Sequence, residues 1–329
     1  MRYGVIGGGG MGSYHAHNIT LIPGATLVAC AAPELNDAIR ATAQHVGATC
    51  FASAIEICAR TDIDAVVIAT PTDTHAQIAV LAMQSGKHVL VEKPLARTLA
   101  DAQRMIDAAK QYGVKLQCGQ VVRYFREYAT AHQLITRGDI GTVGVARTSR
   151  CGAYPAANTW FADTARSGGV ALDLLVHDLD WLRWTFGEVT RIYARGLIDR
   201  AIPDRDTVMV ILRFASGVIG YAEANWSYPN GFHTSIEVAG SNGIVAHRND
   251  DVLDIKLRPQ AGSSARLAQD LLALEDPYLA QLNDFNQWCA GGTAPRSTAN
   301  DGYEALRLSL AVLESVHTGR PVLLQGDAS

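Results

Sequence analysis

Lys93, Asp173 and His177 are the side chains in this sequence best suited to moving protons and stabilising a developing negative charge. Lys93 lies in Glu92-Lys93-Pro94, directly after the apolar run His88–Val91, which reads as a strand. An ammonium at the C-terminal end of such a strand stands where open α/β sheets take their ligands. There it can hydrogen-bond a substrate oxygen and stabilise an alkoxide. Pro94 carries no backbone donor and restricts the residue before it to extended backbone, which narrows the aim of Lys93. Asp173 and His177 are four apart in Val170–Phe186, where apolar residues recur at helical spacing, so both are expected on one helix face. Imidazole is well matched to proton transfer near neutral pH, and a neighbouring carboxylate holds the ring and favours its protonated form. Taken alone, the lysine reads as a loop residue and the Asp–His pair as an ordinary helix-face contact. The motifs around them decide otherwise.

The elements that position these groups begin with Gly7-Gly8-Gly9-Gly10-Met11-Gly12, a Gly-x-Gly-x-x-Gly match between strand Tyr3–Ile6 and a helix over 12–20. Gly7 permits the tight turn, Gly9 lets the backbone approach a pyrophosphate, and Gly12 lets the helix pack closely on the strand. With Gly10 and Met11 they form a helix N-terminus, whose amides and positive dipole end suit phosphate. The acid expected about 20 positions further on, to bind the adenosine ribose, is missing. Ala32, in Ala31-Ala32-Pro33, stands in its place. A 2′-phosphate is then not repelled, which leaves NADP open, yet no Arg adjoins to hold one. Glu34 can still reach the ribose, and the balance favours NAD.

Residues 1–122 alternate short apolar runs with helical patterns. Tyr3–Ile6, Thr26–Ala31, Ala65–Ala69, His88–Val91 and Lys115–Cys118 read as strands covered on both faces. Helices are expected near 12–20, 34–46, 75–85 and 98–112, the last opened by a Thr98/Asp101 capping pattern. This is an α/β, doubly wound parallel sheet, a Rossmann domain for dinucleotides. Residues 123–329 change texture. After a helix over 124–137 come strand candidates Val143–Arg150, Val189–Ile198, Asp206–Phe214, Val218–Trp226 and Thr234–Ala239, with the helix 170–186 among them and further helices near 277–290 and 300–318. Phe214–Val218 reads as a hairpin turn. Strands without intervening helices indicate an α+β domain with a mostly antiparallel open sheet. The stretch 259–270 reads as a mobile loop.

Ala69-Thr70-Pro71 with His75, Glu92-Lys93-Pro94, Gly119-Gln-Val-Val-Arg123-Tyr124, and Ser167-Gly168-Gly169 followed by Asp173 and His177 together carry a resemblance. The sequence is similar, over nearly its whole length, to the glucose–fructose oxidoreductase, inositol dehydrogenase and rhizopine catabolism superfamily. That resemblance implies an NAD(P)-dependent dehydrogenase acting on CH–OH groups of a sugar- or inositol-like polyol. It implies that Lys93, Asp173 and His177 are catalytic and that Thr70, Pro71, His75 and Glu92 lie near the nicotinamide and ribose. Arg123, Asn158 and Trp160 are further candidates for substrate hydroxyls. His15 and His17 read as structural, and Asp180 with Arg183 as a surface pair. The resemblance also implies a homo-oligomer, a dimer or tetramer packed through the open face of the second sheet. It brings two alternatives: a cofactor-retaining glycoside hydrolase of the same fold, and a non-catalytic nucleotide- or sugar-sensing protein.

Composition narrows the remaining classes. The chain has 329 residues, a net charge of −4 and 48% hydrophobic residues, ample for two buried cores. No run of Lys and Arg tracks a phosphate backbone, so nucleic acid is not an expected partner. No apolar stretch reaches the roughly 18 residues of a membrane span. Tyr3 already opens the first strand, which leaves no room for a signal peptide ahead of it. The six cysteines include no Cys-x-x-Cys pair, and the cytoplasm is the expected compartment. Without clustered Cys/His ligands or His-Glu-x-x-His, no metal is expected.

Overall fold

The computed structural model describes residues 1–156, 159–198, 206–228, 231–250, 256–259 and 276–324. Candidate Asn158, and the stretch expected as a mobile loop beyond Pro259, fall outside these. Two compact units divide the chain, Met1–Tyr124 with Glu275–Leu306, and Phe125–Leu274 with Arg307–Ser329. A single division at 122/123 therefore leaves out the return of 275–306 to the first unit.

In the first unit, β1 (Arg2–Ile6), α1 (Gly10–Ile19), β2 (Thr26–Ala31), α2 (Asp37–Val46), β3 (Thr49–Phe51), α3 (Ala54–Ala59), β4 (Ala65–Ile68), α4 (His75–Gln84), β5 (His88–Glu92), α5 (Leu99–Tyr112) and β6 (Leu116–Gly119) follow one another. The strands form one parallel sheet in the order β3-β2-β1-β4-β5-β6, the doubly wound arrangement expected. β4 and β6 are buried at every position, because helices cover both faces. Helix ends are set locally. Asn36 caps α2 by accepting from Ile39 N–H, and Gly47 ends it at φ 73°. Thr98 caps α5 by accepting from Asp101 N–H, and Gly113 ends it at φ 66°. β3 and α3 were not expected; three and six residues long, they show little periodicity.

The second unit carries α6 (Arg126–Thr136), β7 (Val143–Gly152), α7 (Thr164–Ser167), a π-turn (Ala171–Leu175), α8 (Val176–Phe186), β8 (Val189–Leu197), β9 (Thr207–Phe214), β10 (Ile219–Asn225), β11 (Phe232–Gly240), β12 (Gly243–Arg248) and β13 (Lys256–Pro259). Next in the chain is α9 (Pro277–Cys289), which lies in the first unit, then α10 (Ala299–Thr318) and β14 (Val322–Leu323). The eight strands of the second sheet run β13-β12-β11-β7-β10-β9-β8-β14. Only β7 and β10 pair in parallel; the other neighbours are antiparallel. The turn Phe214–Val218 joins β9 to β10, closed by Phe214 N–H to Val218 O and by Gly217 at φ 90°. β9 alternates strictly, with Val208, Val210, Leu212 and Phe214 buried.

α9 belongs with the first unit because Leu282 and Phe285 are fully buried in the cluster that also holds Tyr3, Val5, Ile19, Leu27 and Val67. Its cap is Asp276, which accepts from Tyr278 and Leu279 N–H, with Pro277 in the first turn.

Candidate active site

The phosphate turn runs from the end of β1 into α1. Gly7 adopts φ 135°, and a Cβ there would run into the Ala69 carbonyl. A Cβ on Gly12 would run into the Gly7 carbonyl. Both are glycine because neighbouring backbone fills the space. Gly9 and Gly10 differ: both are exposed, and an added Cβ meets nothing within 4 Å. Met11 follows, half-buried. The turn thus presents open backbone at a helix N-terminus, which fits the pyrophosphate of a dinucleotide. Gly8, not singled out from the sequence, is packed against the Glu34 carbonyl, and a Cβ there would also stand 2.9 Å from Ala32 Cβ. The loop after β2 is thereby held on the turn, Asn36 N–H donating to Gly8 O and Ser13 Oγ to Asn36 Oδ1. The Glu34 side chain is exposed and Ala32 is half-buried.

Lys93 is half-buried and follows β5 directly; its peptide bond to Pro94 is cis. Glu92, only 7% exposed, accepts His15 Nε2–H at 2.6 Å and Lys93 N–H at 3.3 Å. Burial pushes its carboxyl up, but the hydrogen bond and charge of His15, with the Lys93 charge, outweigh this and hold it below the usual carboxylate range. Thr70 and Pro71 follow the neighbouring strand β4 and lead into α4. His75, the first residue of that helix, is buried, with Nδ1 3.0 Å from Pro94 O and Nε2 2.9 Å from Thr70 O. Both ring nitrogens therefore face backbone rather than solvent, and burial pushes the ring below its ordinary pKa. Gly7, Gly9, Gly10, Gly12, Ala32, Glu34, Thr70, Pro71, Glu92 and Lys93 thus gather at the C-terminal edge of the six-stranded sheet, where doubly wound folds bind ligands.

Arg123 does not fit its expected role. It is 2% exposed, donates Nη1 to Arg296 O at 2.6 Å and pairs through Nη2 with Asp301 at 3.1 Å. Its guanidinium ties the segment after β6 to the start of α10, so substrate hydroxyls are not what it holds. Burial works against the Asp301 carboxylate, but Arg123 and the Thr298 donors hold its pKa below the ordinary value.

In the second unit Asp173 lies in the π-turn and His177 is the second residue of α8. The expected single helix over 170–186 is interrupted by this wider turn, a feature frequent at functional sites. The preceding glycines end α7 ahead of it. Gly168 and Gly169 are both left-handed, at φ 86° and 66°, and Ser167 Oγ accepts Gly169 N–H at 3.0 Å. His177 is 9% exposed and Asp173 half-buried. Trp160, half-buried, stacks on Phe161 with centroids 4.0 Å apart. Asp180 is buried rather than on the surface, and Arg183 pairs with Glu188 at 2.6 Å.

A doubly wound sheet ending in an open glycine turn, with a lysine beside it, defines a dinucleotide-binding oxidoreductase fold. Comparison with known proteins sharpens this. Residues 1–120 match the oxidoreductase family with an NAD-binding Rossmann fold, and residues 128–246 match the GFO/IDH/MocA C-terminal domain. The chain belongs to this Gfo/Idh/MocA oxidoreductase family and is an NAD-dependent oxidoreductase. It is 34% identical to a myo-inositol 2-dehydrogenase of Thermotoga maritima, covering 99% of each chain. It is 31% identical to a scyllo-inositol 2-dehydrogenase (NAD(+)) of Bacillus subtilis, covering 98% of this chain and 96% of that one. Among solved structures, GenD2 from gentamicin A biosynthesis in complex with NAD superposes with a TM-score of 0.85 at 26% identity, covering 99% and 97%.

Proposed function

We propose that the protein oxidises a ring hydroxyl of an inositol, or of a closely similar sugar-like polyol, with NAD. The observation that carries this reading is the Glu92-Lys93-Pro94 loop, buried and bonded beside the open glycine turn, in a chain similar end to end to inositol 2-dehydrogenases. The turn Gly7–Gly12, with Ala32, Glu34, Thr70 and Pro71, holds the dinucleotide. NAD bound there would supply a two-electron acceptor for the hydride of the carbinol carbon. His177 takes the hydroxyl proton, and Asp173 orients the ring and favours its protonated state. Lys93 hydrogen-bonds the same oxygen and stabilises its developing negative charge. Trp160 contacts the polyol.

The hydrolase and sensor alternatives are not favoured by these relatives. Two further readings complete the proposal. The exposed Met209, Ile211 and Ile219 on β9 and β10 support a homo-oligomer formed through that sheet face. None of the six cysteines is in a disulfide, which supports a reducing cytoplasm; among the described residues, no helix is long and apolar enough to cross a membrane.

The test titrates NAD, NADH, NADP and NADPH by intrinsic fluorescence, then follows nicotinamide reduction with myo-inositol, scyllo-inositol and aldoses. NAD should bind in preference to NADP and be reduced with an inositol. His177→Ala should lose about 10²–10⁴ in turnover, the usual worth of a general base. Failure to bind any nicotinamide nucleotide, or full turnover by His177→Ala and Lys93→Met, overturns the reading.

A further inference from the structure

Lys93 stands between two residues that are each held by a buried histidine. On its N-terminal side, Glu92 Oε1 accepts Nε2–H of His15, a fully buried residue of α1. On its C-terminal side, Pro94 O lies 3.0 Å from Nδ1 of His75, the first residue of α4. The other nitrogen of His75 lies 2.9 Å from Thr70 O, in the turn after β4. The Glu92 carboxylate returns a bond to Lys93 itself through its backbone N–H. Both histidines rise from helices that begin at the sheet's C-terminal edge, α1 directly after the glycine turn and α4 directly after Thr70 and Pro71.

We infer that His15 and His75 are positioning residues for the reaction proposed above, and that they aim Lys93 by fixing the backbone on either side of it. The inference rests on Lys93 acting at the reacting oxygen. Neither histidine touches substrate. A lysine side chain has long, flexible reach, so its ammonium is placed only as well as the backbone that carries it. A misplacement of about 1 Å at a reacting group can cost roughly 100-fold in rate. Two anchors from separate helices remove the rocking that one would leave.

The two contacts use different ring nitrogens, and amide side chains can tell them apart. Gln places its nitrogen where imidazole has Nε2, and Asn where it has Nδ1. A neutral imidazole carries one N–H. The Lys93 anchor is the His15 Nε2 bond on one side and, with the His75 proton placed on Nδ1, the bond to Pro94 O on the other. The experiment compares His15→Gln, His15→Asn, His75→Asn and His75→Gln, reading turnover and NAD dissociation constant, with Lys93→Met alongside. His15→Gln and His75→Asn should keep kcat within about threefold. His15→Asn and His75→Gln should lose roughly 10- to 100-fold, with NAD affinity unchanged in all four. A merely structural histidine gives no such crossed pattern. If the two amides behave alike at each site, or if NAD affinity falls in step with kcat, the inference is overturned. If Lys93→Met itself turns over normally, the role of Lys93 has failed instead.

Discussion

Arg150 donates Nε to Asp178 Oδ2 at 2.6 Å, deep in the second unit, and Asp178 is the residue next to His177. The guanidinium also donates Nη2 to the Tyr128 hydroxyl at 3.0 Å. Burial pushes the Asp178 carboxyl up against the pull of Arg150, while the carboxylate holds the guanidinium above its ordinary value, so Arg150 keeps its charge. This network anchors the first turn of α8 to β7. Removing one partner strands the other charge in the interior. Arg150→Met should lower unfolding free energy by about 3–5 kcal/mol in urea titration, and Arg150→Met with Asp178→Leu should recover part of the loss.

Two glycines of one motif should fail in different ways. Gly12→Ala forces a methyl into the Gly7 carbonyl and should lower the melting temperature and NAD affinity together. Gly9→Ala meets nothing within 4 Å in the protein alone. Its stability should stay within about 1 kcal/mol of the parent, the worth of a changed helix cap. Its NAD affinity should still fall by about tenfold or more, at 1.4 kcal/mol per tenfold, because the methyl occupies the space the pyrophosphate needs. Thermal unfolding and fluorescence titration on the same samples separate the two outcomes.

Stability should depend on pH through two buried histidines. Burial lowers the pKa of His75 and of His88 below 6.5, and His88 Nδ1 accepts Lys115 N–H at 3.0 Å, a bond that exists only for the neutral ring. Each therefore contributes stability that is complete above the unfolded value. That stability declines as pH falls below 6.5, where the unfolded chain takes up protons first. Glu92 and Asp301, both held below their ordinary values, add a second loss as pH falls through and below the usual carboxylate range. The urea midpoint should be lower at pH 5.5 than at pH 7.5. His88→Asn keeps an acceptor and removes a titrating group, so it should flatten the upper part of that curve.

The apolar residues on the outer face of β9 and β10 carry the proposed association. Met209, Ile211 and Ile219 are about half exposed, at 46%, 51% and 50%. Light scattering behind size exclusion should give a multiple of the chain mass. Ile211→Glu should reduce it to one chain, while the melting transition of the folded subunit persists.

Legibility in the sequence followed the range of the forces involved. The glycine turn was readable because the backbone of Gly7 crowds Gly12 only five residues further on, and the parallel sheet because full burial leaves uninterrupted apolar strands. The Arg123 role was not, since its partners Arg296 and Asp301 lie far along the chain. Nothing local distinguishes an arginine that binds substrate from one that binds a distant carbonyl. The π-turn at Asp173 adds one residue to a turn, too small a change for periodicity to register, although Gly168-Gly169 marked the place. A helix near 277–290 was expected; that Leu282 and Phe285 fill the first core was a matter of topology. His75 was visible as a motif residue, but only geometry shows both its nitrogens turned to backbone.

That return of α9 sets an order of events during synthesis. The nucleotide-binding sheet is complete once β6 has left the ribosome, yet Leu282 and Phe285, which close its core, emerge about 160 residues later. At roughly 5–20 residues per second the nascent sheet waits on the order of ten to thirty seconds with an apolar flank uncovered. Residues 125–274 of the second unit are made in that interval, so the first core closes only after most of its neighbour has been synthesised.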